Sequence, residues 1–391
     1  MSAAQAGGAR YRWAVLAAGT FAQAGYTSVL VGLTVLAPAL RARYGLGLAE
    51  VGVVIAAPNI GSIATLYSWG RAADHFGDRA VIAVGLGAAA VCVAATAFVA
   101  SFSGLALLFV LAGAFGASVN SASGRAVMHW FDAESRGLAL GLRQTAVPIS
   151  GALTAVALPL LARHHDPKPA LLALAGLCVA GAAVALLVIR EGPVPEVVSH
   201  REPTFSPLRD RRIWRLSAAA ALMIEPQTCL VGFFVVFLED HRGMTTTTAA
   251  GALAVLNVLG IATRVGAGRW SDLARSRVGP LRRIAVGSAA LVVLCALLES
   301  APLALLVPAL VLMGCVTISW NGLSFAATAE VAGHARSGAA LGVQQTALAL
   351  SGAVLPIAFG GLVAATSWRT GFVVSAAFPL AGWLVLRSVA G

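Results

Sequence analysis

The sequence predicts an all-α membrane protein: twelve transmembrane helices in two pseudo-symmetric six-helix bundles. Three observations carry this. The 391 residues are 59% hydrophobic and 11% charged, where a soluble domain carries roughly 25% charged residues. The apolar residues gather into separate runs of about the 20 residues that a spanning helix needs. The two halves of the chain also repeat each other in register.

The runs fall at 13–36, 49–69, 80–100, 104–127, 138–161, 169–190, 215–238, 249–268, 282–300, 303–326, 338–364 and 369–388. An even number places both termini on one side. With the N-terminus inside, eighteen basic residues face the cytoplasm and six, including Arg163, face outward; Arg125, Arg143 and Arg264 stay within or at the ends of helices. This positive-inside bias puts both termini in the cytoplasm of a multi-pass protein of the cytoplasmic membrane. It also accounts for the net charge of +11 without nucleic acid, for which the chain has no separate basic domain. No cleavable signal peptide is expected, since Met1–Arg10 lacks a basic start. The five cysteines lie inside apolar runs without CxxC spacing and read as buried small hydrophobes.

A polar stretch, 191–214, carries Pro193, Pro195, Pro203, Pro207 and several arginines. It reads as a cytoplasmic linker between an N-terminal bundle at 1–190 and a C-terminal bundle at 215–391, with one short surface helix near Pro207–Arg212. Across this linker Gly141–Ala146 and Ser150–Ala152 match Gly342–Ala347 and Ser351–Ala353, 201 positions on. Asn120 meets Asn321 at the same offset. Asn59 and Ile63–Thr65 match Asn257 and Ile261–Thr263 at an offset of 198, followed by Gly70, Arg71 and Asp74 against Gly268, Arg269 and Asp272. Two six-helix halves related by an axis along the membrane normal are a transporter plan, with the solute near mid-membrane.

With these features in hand, the chain resembles the major facilitator superfamily over essentially its whole length. GRAADHFGDR, Gly70–Arg79, is similar to that family's loop signature between helices 2 and 3, Gly-x-x-x-Asp-(basic)-x-Gly-x-(basic). The resemblance implies a cytoplasmic gate at Gly70, Asp74, Gly77 and Arg79; the repeat adds Gly268 and Asp272 as its counterpart in the second half, and Arg125, close to the surface beside His129, reads as structural or gating. His75 stands where the family has a basic residue after the Asp, and Asp78 is an added acid, which implies a weaker or a pH-sensitive latch. Two signatures of drug exporters are absent or degraded: Phe109 stands where helix 4 would carry an Arg, and the helix 5 motif survives only as Val147–Ala152. Arg264-x-x-x-Gly268-x-x-x-Asp272 resembles helix 8 of the monocarboxylate and organic-anion branches, where the Arg engages a carboxylate. Gly-Leu-Arg-Gln-Thr followed by Pro resembles bacterial permeases near the cyanate group.

Ionised side chains inside a membrane cost about 2.5–3.5 kcal/mol on insertion scales and normally face a cavity. Arg143 lies about five residues into its segment; its planar fork suits a carboxylate or phosphate, against the alternatives of snorkelling or gating. Arg264, nearer its helix end, faces the same choice. Glu225 lies near mid-membrane, beside Pro226, and is the candidate proton carrier; a plain inter-helix hydrogen bond is the alternative. Gln144, Gln344, Gln345, Asn321 and Trp320, with Gln23 and Tyr26, complete the candidate substrate-binding set. The expected activity is secondary transport, as a permease or symporter, of a small organic anion, with a proton as candidate coupling ion. Drug or cation efflux is the alternative. A sensor or enzyme ranks low, because no HExxH, Gly-x-Ser-x-Gly, metal-ligand cluster or phosphate loop is present. No cofactor or metal is expected; the partners are the bilayer and the solute, and the chain is expected to be a monomer.

Overall fold

The computed structural model describes residues 3–162, 166–191 and 207–389. The described residues form sixteen α-helices and no strand: α1 (Ala3–Tyr44), α2 (Leu48–Phe76), α3 (Asp78–Thr96), α4 (Phe102–Gly116), α5 (Ser118–Trp130), α6 (Arg136–Arg143), α7 (Ala146–Leu161), α8 (Lys168–Val188), α9 (Arg211–Thr228), α10 (Phe234–Val236), α11 (Thr246–Leu273), α12 (Val278–Leu297), α13 (Leu303–Thr317), α14 (Asn321–Ala332), α15 (Ser337–Ala365) and α16 (Trp368–Arg387). Most of the expected linker, including Pro193, Pro195, Arg201 and Pro203, lies outside the described residues, as does Arg163. Of the surface helix expected near Pro207–Arg212, a single 3-10 turn at Pro207–Arg209 is present. Asp210 then caps α9 by accepting from the Arg212 amide at 2.8 Å.

Among the described residues, eleven helical stretches are long and apolar enough to cross a bilayer, and they coincide with eleven of the twelve expected spans. The remaining one, 215–238, is broken between α9 and α10. Its cause is local: Pro226 has no N–H to donate, and its carbonyl accepts from both Leu230 and Val231, at 3.1 and 3.3 Å. The ladder thereby slips by a residue before a π-turn at Phe237–His241. Three other spans carry a break: 138–161 at 144–145, between α6 and α7, and two more at matching places. Of these two, one is interrupted at Ala117 between α4 and α5, the other at 318–320 between α13 and α14. In each, a threonine of a neighbouring helix covers a carbonyl just before the break: Thr65 Oγ1 donates to Ala114 O at 2.7 Å and Thr263 Oγ1 to Cys315 O at 3.0 Å.

The stretch expected as a charged loop, Gly70–Arg79, is mostly helix. Ala-rich sequence favours helix, so α2 runs on to Phe76, and Gly77 alone reverses the chain at φ +84°, a conformation that suits glycine.

The chain divides into two compact units. The first comprises Met1–Asp132, Arg143–Pro207 and Ala332–Thr346; the second comprises Ala133–Leu142, Leu208–Val331 and Ala347–Gly391. Each therefore takes one short segment from the other sequence half. In the first, α2 packs on α4 and α3 on α8; in the second, α11 packs on α13 and α12 on α16, the same pairs in repeat register. Tyr26, Leu33, Ile82, Leu86, Phe109 and Leu174 anchor the first core, and Phe234, Phe237, Leu256, Val292 and Met313 the second. Val84, Val91, Leu187, Val258 and Ile357 are exposed. Helices apolar on both faces suit a lipid surround.

Candidate functional site

Each of the two signature aspartates is received by a pair of backbone amides, with an arginine side chain beside it. In the first unit, Asp74 accepts from the N–H groups of Gly338 and Ala339, at 2.9 and 2.8 Å. These amides open the first turn of α15, where unsatisfied N–H groups and the helix dipole favour an anion. In the second unit, Asp272 accepts from Gly137 and Leu138, in the first turn of α6, also at 2.9 and 2.8 Å. Gly137 and Gly338 are 201 residues apart, so the two caps are one motif used twice.

Glycines let the backbones meet. A Cβ at Gly70 would run into the carbonyl of Gly338, and one at Gly268 into that of Gly137. Gly70→Val and Gly268→Val are each expected to destabilise the protein by about 1–3 kcal/mol, the usual cost of overpacking. Thermal unfolding of the purified variants checks this; unchanged melting would mean the helices separate at no cost.

Arg125 gathers the charges around the first cap. Its Nε lies 3.1 Å from Asp74, and its Nη1 lies 3.0 Å from Asp78 and 3.7 Å from Glu191. His129 Nδ1 is 3.8 Å from Asp78. The acids and the imidazole could offer ligands to a cation, but the guanidinium already supplies the positive charge there. Arg79 contributes its backbone N–H to Glu191 at 3.5 Å. In the second unit Arg277 takes the organising role. It pairs with Asp272 at 2.5 Å and Glu330 at 3.0 Å, and donates to the carbonyl of Ala133. Reading the sequence alone passed over Glu191, Arg277, Glu330 and the four amides. The repeat held one usable signal, because Gly137 and Gly338 align at the same offset as the motifs that were found.

Several candidate solute-binding residues of the first unit converge. Arg143, 1% exposed, donates through Nη1 to Gln23 Oε1 at 2.5 Å and to Ser123 Oγ at 3.0 Å. Gln23 in turn donates to Gln144 Oε1 at 3.4 Å. Tyr26 is occupied elsewhere: its hydroxyl meets Ser62 and the Gly113 carbonyl. Gln344 is buried and Gln345 half-buried, both on α15.

In the second unit Arg264, 4% exposed, donates from Nε to the Ile318 carbonyl at 3.0 Å. That carbonyl lies in the break between α13 and α14, and Trp320 and Asn321, both buried, follow after Ser319. Arg264, Trp320 and Asn321 thus gather around one break. Glu225 stands apart from them, buried on α9 with Oε1 accepting from Ser375 Oγ of α16 at 2.7 Å.

Comparison with known proteins agrees with this architecture. Residues 15–356 match the family model described as Major Facilitator Superfamily. An uncharacterized MFS-type transporter of Mycobacterium tuberculosis (strain CDC 1551 / Oshkosh) is 34% identical over 372 residues, covering 95% of this chain and 83% of its own. Among solved structures, the E. coli fucose:proton symporter FucP superposes with a TM-score of 0.76 at 16% identity, over 98% of both chains. The human organic anion transporter MFSD10 superposes with a TM-score of 0.77 at 14% identity, over 96% of this chain and 99% of its own.

Proposed function

This chain belongs to the major facilitator superfamily, and on that premise we propose that it moves a small organic anion across the cytoplasmic membrane by alternating access, together with a proton. The observation that carries the proposal is Arg143: a guanidinium 1% exposed inside a spanning segment and steadied by the neutral oxygens of Gln23 and Ser123. Keeping a cation at such a place costs free energy, which a functional role offsets. Its planar fork suits a carboxylate. The fold does not choose the cargo, since the similar structures include a sugar:proton symporter and an organic anion transporter.

In this reading Arg143 is the principal solute contact. Gln23 and Gln144 steady it, and Arg264, with Trp320 and Asn321, supplies a second polar group. Glu225 carries the proton, with Ser375 donating to its ionised form. Asp74 and Asp272 hold the cytoplasmic gate, both termini face the cytoplasm, and the protein works as a monomer.

The test is purified protein in liposomes, a panel of carboxylates, and an imposed pH gradient. Accumulation of at least one carboxylate, driven by the gradient, is the expected result; movement of cationic amphiphiles alone would overturn it. Glu225→Gln is expected to abolish gradient-driven accumulation while leaving solute exchange across the membrane intact. Loss of both activities would place Glu225 outside the proton path.

A further inference from the structure

The helical period gives α11 two working faces. Arg264, Gly268 and Asp272 lie on one, closed by the glycines of α6. Ala262, Gly266 and Trp270 lie on the opposite face, where Ala262 and Gly266 are exposed and a Cβ built on Gly266 meets nothing within 4 Å. There residues of α11, α12 and α13 line a crevice of about 570 Å³, with Ile284 of α12 and Val316 of α13 in its wall and Arg283 at its border. The volume lies within the range of ligand sites, about 300–1,000 Å³, and the walls are mainly apolar.

Its border is cationic. The Arg283 guanidinium lies 5.8 Å from the centre of the Trp270 ring, a pairing of residue types that concentrates at membrane–water interfaces. Among the described residues no carboxylate pairs with Arg283, whereas its neighbour Arg282 is spent on the carbonyls of Leu386 and Val389. Residues 269–283 carry five arginines against one acid, Asp272, and that acid is committed to Arg277.

We propose that this crevice is a binding site for an anionic phospholipid, with one acyl chain against Ala262, Gly266 and Ile284 and the headgroup phosphate on Arg283. An apolar slot open beside a spanning helix takes a chain, and an arginine without a carboxylate partner at its edge takes a phosphodiester. The surplus of positive charge selects an anionic headgroup over a zwitterionic one.

The experiment is native mass spectrometry of the full-length protein released from vesicles of phosphatidylglycerol and phosphatidylcholine in equal parts. Wild type is expected to retain phosphatidylglycerol preferentially. Arg283→Gln is expected to lower that preference by about fivefold, what one surface arginine contributes at an anionic leaflet. Gly266→Leu fills the slot and is expected to release lipid of both kinds; Ala262→Leu, at an exposed position, is expected to do the same if the first variant fails to fold. An unchanged headgroup preference in Arg283→Gln would overturn the proposal. So would full lipid retention in the leucine variants, or a second copy of the chain, lost in those variants, in place of lipid. Because the readout is retained lipid, the result stands apart from the identity of the transported solute.

Discussion

Asp74→Asn is expected to cut the transport rate by about a hundredfold while the protein still inserts and remains helical. Both carboxylate oxygens of Asp74 are in use, one on each of two α15 amides, with Arg125 at 3.1 Å. Asparagine offers one acceptor oxygen; its NH₂ would oppose one of the N–H groups, and the charge facing Arg125 and the helix start would vanish. Breaking a buried charged pair costs about 3–5 kcal/mol, and on the order of 3 kcal/mol shifts a two-state equilibrium roughly a hundredfold. Asp272→Asn is expected to act alike, since Asp272 makes the same two amide contacts and pairs with Arg277. Initial rates in liposomes, normalised to inserted protein, decide the matter. Normal turnover in both variants would reduce the caps to ordinary helix ends.

The second large effect is expected at Arg143. Arg143→Ala removes a buried guanidinium and leaves Gln23 Oε1 and Ser123 Oγ without the donor they share. Truncating a desolvated charged contact costs about 2–5 kcal/mol, so transport of the organic anion is expected to fall at least about thirtyfold. Arg143→Lys keeps the charge but not the planar fork; it is expected to recover only part of the loss, with the deficit in KM. The kcat/KM of uptake for the two variants checks this. Wild-type carboxylate transport in Arg143→Ala would remove the anion from the proposal.

The extent to which the sequence revealed these features follows from the physics of each. Spanning helices are legible because a bilayer demands long apolar runs, and eleven were found where expected. The charged stretch Gly70–Arg79 led to Asp74, and the repeat then to Asp272, because acidic residues are rare in such a chain. Their acceptors' partners were hidden for a physical reason: a backbone amide has no letter in the sequence, and Gly338 lies 264 residues from Asp74. The broken seventh span was half legible, since Pro226 was noticed as a loosening residue, but hydropathy is blind to a slipped ladder. The polar triad of Gln23, Arg143 and Gln144 was legible as types and depth; that Tyr26, one turn from Gln23, turns instead to Ser62 depends on packing against α4. Glu191 sits where the linker begins and has no periodicity to betray it.

The reciprocal caps also bear on how such a chain could have arisen. Each carboxylate belongs to one sequence half and its amides to the other, with matching distances. Were the halves separate identical chains, the two caps would collapse into one isologous contact, residue i of each copy meeting residue j of its mate. Such a half-length chain would be born with its cap unfilled and its helix start bare, and would satisfy both only by dimerising. Fusing two copies through a linker makes that encounter intramolecular, and it frees the two caps to diverge, as the different roles of Arg125 and Arg277 record.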